Sequence, residues 1–226
     1  MSPRIKSRQG RPMASRHRGD RAAAGFSVKS GWASAVLVVG TSALPAVAAS
    51  ETVELSDPAV PESRQPYHHG FGTARAAGRE LSRLIASVER FGGQSVKSWL
   101  GRLQAGGHDL QGAGVVVGSL IDPASIANDH IRIHALEGQL FRRVVAEAAG
   151  RLGVACSIWR ERDLYGIAAA ALSRSEPDLR ATLTALGRDA DGPWRGEQKR
   201  AVLAAWLVLA GAEPTGGRVR RQTPAA

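Results

Sequence analysis

A short apolar run, followed by a turn and a long amphipathic segment in the range 114–152, constrains the fold of this chain most strongly. The run 114–118 is typical of a buried strand, and Asp122 with Pro123 marks the turn that follows it. Apolar residues of the next segment recur every three or four positions, as they do on one face of an α-helix. The strand, turn and helix together predict one unit of an α/β domain.

Residues 26–55 allow two interpretations. A basic leader, a short apolar stretch and small residues at 46–48 are typical of a secretory signal peptide ending near Ala48. The leader is long, however, and the apolar stretch is barely sufficient. We therefore favour a β-hairpin with strands over 32–39 and 46–55, because its first strand contains a continuous apolar run that fits burial on both faces. The hairpin predicts a cytoplasmic protein, and the alternative predicts a secreted one.

Other segments of the chain have simpler patterns. The apolar spacing predicts a helix over 73–91 that ends at Gly92-Gly93, and a second helical piece over 95–103. Later segments predict a strand over 154–159, an Ala-rich helix over 164–172, a short helix over 177–186 and a last helix that opens at 192–194 and ends at Gly211. Strands that alternate with helices in this way favour a layered α/β arrangement with parallel strands.

Charge is distributed unevenly along the chain. Seven basic side chains in 1–25 stand against one acid, and three in 214–226 stand against none, so the remaining residues contribute only +1 to the formal net charge of +10. We predict two disordered basic tails, 1–25 and 213–226, around a single α/β domain over 26–212. Such tails can bind nucleic acid weakly and in a salt-dependent way.

Several function classes are excluded by what the sequence lacks. Its single cysteine, Cys156, excludes an internal disulfide and a cysteine-rich zinc site, and its apolar neighbours predict a buried side chain. The chain has no glycine-rich phosphate loop and no serine nucleophile elbow. No apolar run is long enough to span a bilayer. The sequence leaves the oligomeric state open.

Three residues on the long helix could carry chemistry. His130, His134 and Glu137 stand at positions i, i+4 and i+7 and therefore share one helix face. Two histidines and a carboxylate can hold a divalent metal with an open position. We favour a structural pairing beside the apolar stripe, with a metal or a phosphate site near the helix N-terminus at Asn128 as the alternatives.

Further candidates lie outside the long helix. His68 and His69 stand in a loop rich in proline and glycine, where they could contact a substrate or simply be exposed. Glu161 follows a predicted strand, so it is expected at the cleft outside the carboxyl end of that strand. Trp194 and Lys199 belong to the last helical segment and could close the same cleft, although a capping Trp and a solvated Lys are also consistent with the pattern.

The order of elements resembles a known fold family. A first strand with the segment VKSGWA at 28–33, a hairpin partner, a later strand, a long helix, another strand and a C-terminal helix resemble the ribonuclease H-like fold, and within it the Holliday-junction resolvases. The resemblance implies a mixed α/β sheet with an N-terminal β-hairpin and flanking helices. In those enzymes the first strand carries an aspartate in a D-x-G pattern, and here Lys29 stands in that place. The place of the second acid is taken by Gly118-Ser119, and Glu197 is the only candidate acid near the last helix.

These departures bear on the function that the resemblance implies. Nucleases of this fold hold two Mg²⁺ or Mn²⁺ ions with clustered carboxylates, and a lysine adds positive charge where an anion is required. The segments 130–142 and 192–210 also resemble those of bacterial proteins from which no function can be carried over. We therefore predict a non-nuclease binding protein associated with nucleic acid or a nucleotide. The alternative is a metal-assisted or phosphoester hydrolase with the catalytic residues Lys29, His134, Glu137 and Glu161.

Overall fold

The computed structural model describes residues 21–70, 73–188, 190 and 192–214, together with the backbone of 218 and 219. Within these residues the chain forms one six-stranded sheet with helices on both faces. The strands are β1 (Arg21–Lys29), β2 (Trp32–Gly40), β3 (Pro45–Glu54), β4 (Asp109–Val117), β5 (Cys156–Arg160) and β6 (Arg218–Val219). The α-helices are α1 (Arg79–Ala105), α2 (Asp129–Arg151), α3 (Leu164–Leu172), α4 (Glu176–Leu186) and α5 (Gly196–Leu209).

The sheet is mixed, with the strand order β3-β2-β1-β4-β5-β6. Strands β1, β2 and β3 form an antiparallel meander, whereas β4 lies parallel to β1 and β5 lies parallel to β4. This arrangement confirms the predicted α/β class with a mixed sheet, an N-terminal hairpin and flanking helices. No helix among the described residues is both long and apolar enough to cross a membrane.

The first strand begins earlier than the sequence predicts. Residues 21–25 belong to β1 and not to a disordered tail, and Ala22, Ala23 and Ala24 are fully buried at the centre of the sheet. Ala22 and Ala24 contribute to the core on the face of α1 and α2, and Ala23 contributes to the core on the face of α5. On the α5 face the helix packs directly on the strand, because a Cβ on Gly25 would lie 1.9 Å from the carbonyl oxygen of Ala201. A strand built of alanine and glycine lacks the large apolar side chains that mark a buried strand in a sequence. Residues 1–20 lie outside the described residues.

The hairpin interpretation of 26–55 is confirmed by strands β2 and β3, which pair in antiparallel register. In β2, Val36 and Val38 contribute to the core on the α5 face, while Leu37 and Val39 contribute to the core on the opposite face. Burial on both faces explains the continuous apolar run. Cleavage near Ala48, as a signal peptide requires, would remove β1 and β2 from the middle of the sheet.

Helix α1 is continuous, so the predicted break at Gly92-Gly93 is wrong. A Cβ on Gly92 would lie 2.7 Å from the carbonyl oxygen of Leu55 and 3.2 Å from a methyl group of Val144. Glycine at this position therefore allows the close approach of the loop after β3 and of α2. The glycine serves packing inside the helix and does not end it.

Two cores lie on opposite faces of the sheet. Helices α1 and α2 cover one face, where Phe26 and Trp99 meet edge to face with ring centroids 5.3 Å apart. Helices α3, α4 and α5 cover the other face around Trp159 and Trp206. The thiol of Cys156 is buried in the first core as predicted, and this burial raises its pKa to about 12.

The C-terminal tail prediction is corrected at one place. The backbone of 218 and 219 forms β6 and pairs antiparallel with β5, at Cys156 and Ser157. This strand is only two residues long, so no periodic pattern in the sequence could indicate it. Residues 215–217 and 220–226 lie outside the described residues.

Candidate functional site

A cavity of about 320 Å³ lies at the carboxyl ends of β1 and β4. Parallel strands of an α/β sheet commonly place ligands at this edge. We call it the sheet-edge cavity. Its apolar lining residues include Val28, Val117, Ile121, Ile126, Ile131 and Phe141, and its polar ones include Lys29, Ser30, Ser119 and His134.

The turn between β1 and β2 positions the polar side of this cavity. It consists of Ser30 and Gly31, and Gly31 adopts a positive φ of 83°, which glycine allows at no steric cost. The carbonyl oxygen of Gly31 accepts hydrogen bonds from the backbone N–H groups of Leu55 (2.8 Å) and Ser56 (3.1 Å). The turn is thus fixed against the loop that follows β3. From this fixed turn the Ser30 hydroxyl donates a hydrogen bond of 3.3 Å to Glu137 Oε2.

Glu137 on α2 is the only charged side chain that is fully buried among the described residues. Its Oε1 lies 2.7 Å from His68 Nδ1, and its Oε2 accepts the bond from Ser30. Burial raises the pKa of the Glu137 carboxyl, while the hydrogen bonds from His68, from Ser30 and from the backbone of Tyr67 act in the opposite direction. The carboxylate is therefore held in one orientation by two other segments of the chain, the β1–β2 turn and the loop that contains Tyr67 and His68.

His68 reaches Glu137 because the loop around it is held in place by Arg75. The guanidinium of Arg75 donates to the carbonyl oxygens of Pro66 and His68, at 3.0 Å each, and its backbone N–H donates to the carbonyl oxygen of Tyr67. These bonds fold the loop back over α2, and the His68 side chain is 13% exposed. These hydrogen bonds therefore fix the loop so that the His68 imidazole lies against the buried carboxylate of Glu137.

His134 stands one turn before Glu137 on α2 and is exposed. Its ring centroid lies 4.9 Å from that of His68 and 4.7 Å from that of His130. Desolvation lowers the pKa of His134, and the neighbouring His68 and His130 lower it further.

His68, His134 and Glu137 can offer one ligand atom each, with all three atoms within 4.8 Å of one another. The predicted metal set of His130, His134 and Glu137 is corrected accordingly. Positions i and i+7 share a helix face, but they are separated along the axis by about 10 Å, which is too far for one ion. The third member of the group is the loop residue His68 and not His130, whose ring contacts that of His134.

A second group of charged residues lies beside Ser30. Lys29 Nζ is 3.3 Å from Glu161 Oε2, and Arg200 Nη1 is 3.2 Å from Glu161 Oε1. The same guanidinium contacts Glu197 at 2.9 Å. Both acids are thus paired with cations. Arg200 was missed at the sequence level, because nothing in the pattern of α5 indicates which element its side chain meets.

A wider cavity of about 740 Å³ opens on the other side of His134. We call it the loop cavity, and it is lined by residues that include Arg64, Gln65, His68, Arg75, His130 and His134. His134 lines both cavities, so its ring stands between an apolar space and a space rich in arginine and histidine. Of the predicted catalytic residues, Lys29 and His134 line the sheet-edge cavity, Glu161 pairs with Lys29, and Glu137 is linked through Ser30.

Two of the predicted substrate-binding residues have other surroundings. His69 is exposed and lines neither cavity, although it directly follows His68. The side chain of Asn128 accepts a hydrogen bond from the backbone N–H of Ile131 at 3.1 Å. Asn128 is thus the N-cap of α2, and its side-chain carbonyl group is engaged within the helix.

Trp194 and Lys199, two further predicted contacts, form hydrogen bonds to another helix. Trp194 Nε1 donates to the carbonyl oxygen of Leu183 at 2.8 Å, and Lys199 Nζ donates to Thr184 Oγ1 at 3.2 Å. Both partners belong to α4, and neither side chain lines the two cavities. Packing of α4 against α5, which the sequence pattern could not show, decides where these side chains point.

Comparison with known proteins gives similarity in structure only. No protein-family model matches the sequence, and no curated protein matches it. The structure is similar to the Thermus thermophilus RuvC structure, with a TM-score of 0.49, 15% identity and coverage of 85% of this chain and 99% of that chain. It is similarly close to T. thermophilus RuvC in complex with Holliday junction substrate, with a TM-score of 0.49, 15% identity and coverage of 86% and 99%. The likeness concerns the fold alone.

Proposed function

We propose that this chain is a ribonuclease H-like domain that binds nucleic acid or a nucleotide at the carboxyl ends of β1 and β4 and does not cleave it by a two-metal mechanism. The observation that carries the proposal is the ion pair of Lys29 with Glu161 beside the sheet-edge cavity. A cation stands at the end of the first strand, where a nuclease of this fold requires an anion.

The pairing of the acids supports the non-nuclease part of the proposal. Two-metal nucleases need clustered carboxylates whose charge is available to the ions. Here Glu161 is paired with Lys29 and Arg200, and Glu197 is paired with Arg200. Among the described residues, no group of three acids has ligand atoms close enough to hold an ion. A cation entering this network would have to displace two basic side chains.

The lining of the two cavities supports the binding part. The sheet-edge cavity offers apolar surface, with Ile121 and Ile131 each 54% exposed at its edge, and Lys29 as a positive charge. The loop cavity adds Arg64 and Arg75. Apolar surface suits a base or sugar, and basic side chains suit phosphate oxygens. The shared chemistry of the expected ligands is therefore a phosphate group next to a flat apolar ring.

Fluorescence anisotropy with a labelled four-way junction, a duplex, a single strand and a mononucleotide tests the proposal. We expect the Lys29→Ala variant to bind the preferred probe roughly 5-fold more weakly, as the loss of one phosphate contact implies. Lys97→Ala is the matched control, since Lys97 is an exposed lysine on α1 away from both cavities. Equal affinities of the two variants would contradict the proposal that the ligand binds at the sheet-edge cavity. Cleavage of any probe with Mg²⁺ or Mn²⁺ would contradict the non-nuclease part.

A metal-assisted phosphoester hydrolase is the second candidate. The observation that favours it is the group of His68, His134 and Glu137 next to the sheet-edge cavity. Hydrolysis of an activated phosphodiester in the presence of Zn²⁺ or Mn²⁺, lost in His134→Ala and kept in His69→Ala, would favour this function. An identical background rate in all three proteins would remove it.

A further inference from the structure

We infer that His68, His134 and Glu137 form a binding site for one divalent transition-metal ion of the zinc class. The inference does not depend on the proposed binding of nucleic acid, because it concerns a cofactor and not the ligand of the cleft. It differs from the two-metal arrangement of nucleases in its ligand atoms, two imidazole nitrogens and one carboxylate oxygen.

The distances between the side chains suit a single ion. Ligand atoms around a tetrahedral zinc ion lie about 3.3 Å apart, because each bond is about 2.0 Å long. The corresponding atoms here lie within 4.8 Å of one another, and His68 Nδ1 and Glu137 Oε1 are 2.7 Å apart. His134 is the exposed member of the group, whereas the Glu137 side chain is fixed by burial and hydrogen bonds. Two imidazoles favour zinc and its neighbours over Mg²⁺ and Ca²⁺, which prefer oxygen ligands.

The surroundings of Glu137 resemble the outer shell of a metal site. Its carboxylate is buried and oriented by the Ser30 hydroxyl, which comes from the rigid β1–β2 turn. Outer hydrogen bonds of this kind fix the direction of a ligating group. Among the described residues, no lysine or arginine forms an ion pair with Glu137, and His68 is its only basic partner. A metal ion would supply the positive charge that a fully buried carboxylate otherwise lacks.

The position of the site gives the ion access to solvent and ligand. Three protein ligands leave a fourth position for water or an incoming oxygen atom, as catalytic zinc sites do. His134 lines both the sheet-edge cavity and the loop cavity, so an ion bound to its ring can be reached through either. An anionic oxygen, such as that of a phosphate or carboxylate, is the chemical class that would complete the coordination.

Titration of the full, tag-free chain with ZnCl₂ by calorimetry, checked by metal analysis after dialysis, tests the site. We expect one zinc ion per chain, a site that excess Mg²⁺ does not occupy, and visible absorption typical of four-coordinate Co²⁺ when Co²⁺ replaces zinc. His68→Ala, His134→Ala and Glu137→Gln are each expected to weaken zinc binding on the order of 100-fold, and Ser30→Ala on the order of 10-fold.

Two neighbouring histidines provide matched controls. His69→Ala and His130→Ala are expected to keep the wild-type affinity within about 2-fold, because the structure places both outside the ligand set. The exposed position of His134 means that its variant can fold normally, which circular dichroism verifies. The inference is overturned if wild-type protein binds no stoichiometric zinc, if His134→Ala binds it as well as wild type, or if His130→Ala loses as much affinity as His134→Ala.

Discussion

At the scale of single residues, the buried carboxylate of Glu137 dominates the site. The sequence places it on the helix face that carries His134, but only the structure shows it fully buried and bonded to His68 and Ser30. An ionised group in such a position is costly unless its partners compensate it. Because burial raises the pKa of Glu137, compensation by these partners is incomplete.

This raised pKa predicts the effect of pH on stability. The folded-state pKa of Glu137 lies above the unfolded value of about 4.3, so its contribution to stability is full below that pH and is lost as pH rises through the folded-state pKa. We expect Glu137→Gln, which cannot ionise, to have a larger free energy of unfolding than wild type at neutral pH. The two proteins should become equally stable at low pH.

Urea unfolding between about pH 4 and pH 8, with a chelator present, measures this difference. Glu147→Gln on the same helix is the control, because Glu147 is exposed and its ion pairs with Arg143 and Arg151 are expected to contribute little. If the Glu137→Gln variant is instead less stable than wild type at neutral pH, the bonds to His68 and Ser30 outweigh the cost of burial.

At the scale of elements, the contact of α5 with the sheet decides the character of β1 and β4. Glycine stands at the crossing points on both strands, and a Cβ on Gly114 would lie 2.5 Å from the carbonyl oxygen of Ala204. The helix backbone therefore touches the strand backbone. This contact explains why β1 carries Ala23 and Gly25, and no large side chain, where it faces α5.

Substitution of Gly114 tests the contact. We expect Gly114→Ala to lower the free energy of unfolding by about 1–3 kcal/mol, because the added methyl group forces α5 away from the sheet. Gly150→Ala on α2 is the control, since a Cβ there meets nothing within 4 Å and alanine favours a helix by up to about 1 kcal/mol. Urea unfolding measures both, and a Gly114→Ala protein as stable as wild type would contradict the close packing.

At the scale of the whole molecule, charge separates the ends of the chain from the domain. Nine of the basic side chains lie in 1–20 and 215–226, whereas the rest of the chain is close to neutral. A polyanion can therefore be attracted by the ends without any contribution from the cleft. Binding measured on the full chain therefore includes the contribution of the basic ends and that of the cleft.

A variant that consists of residues 21–214 separates them. For each protein, the slope of log affinity for duplex DNA against log salt concentration is measured. We expect this slope to be smaller in magnitude for the shortened variant by at least about 3, because each lost phosphate contact removes about 0.9 from it. Anisotropy titrations at several salt concentrations measure this change. An unchanged slope would mean that the ends do not contact the DNA, and the effect of Lys29→Ala should persist in the shortened variant.

The sequence by itself determined the α/β class, the β2–β3 hairpin, the position of α3 and the presence of Lys29 in the first strand. These features depend on the spacing of apolar residues along a few turns or strands, and such spacing is readable without the rest of the chain. Only the tertiary structure decided that β1 is a central strand, that α1 continues through Gly92, that Trp194 and Lys199 bind α4, and that His68 joins His134 and Glu137. Each of these outcomes depends on which distant segments meet, and packing between elements, not local periodicity, sets those contacts.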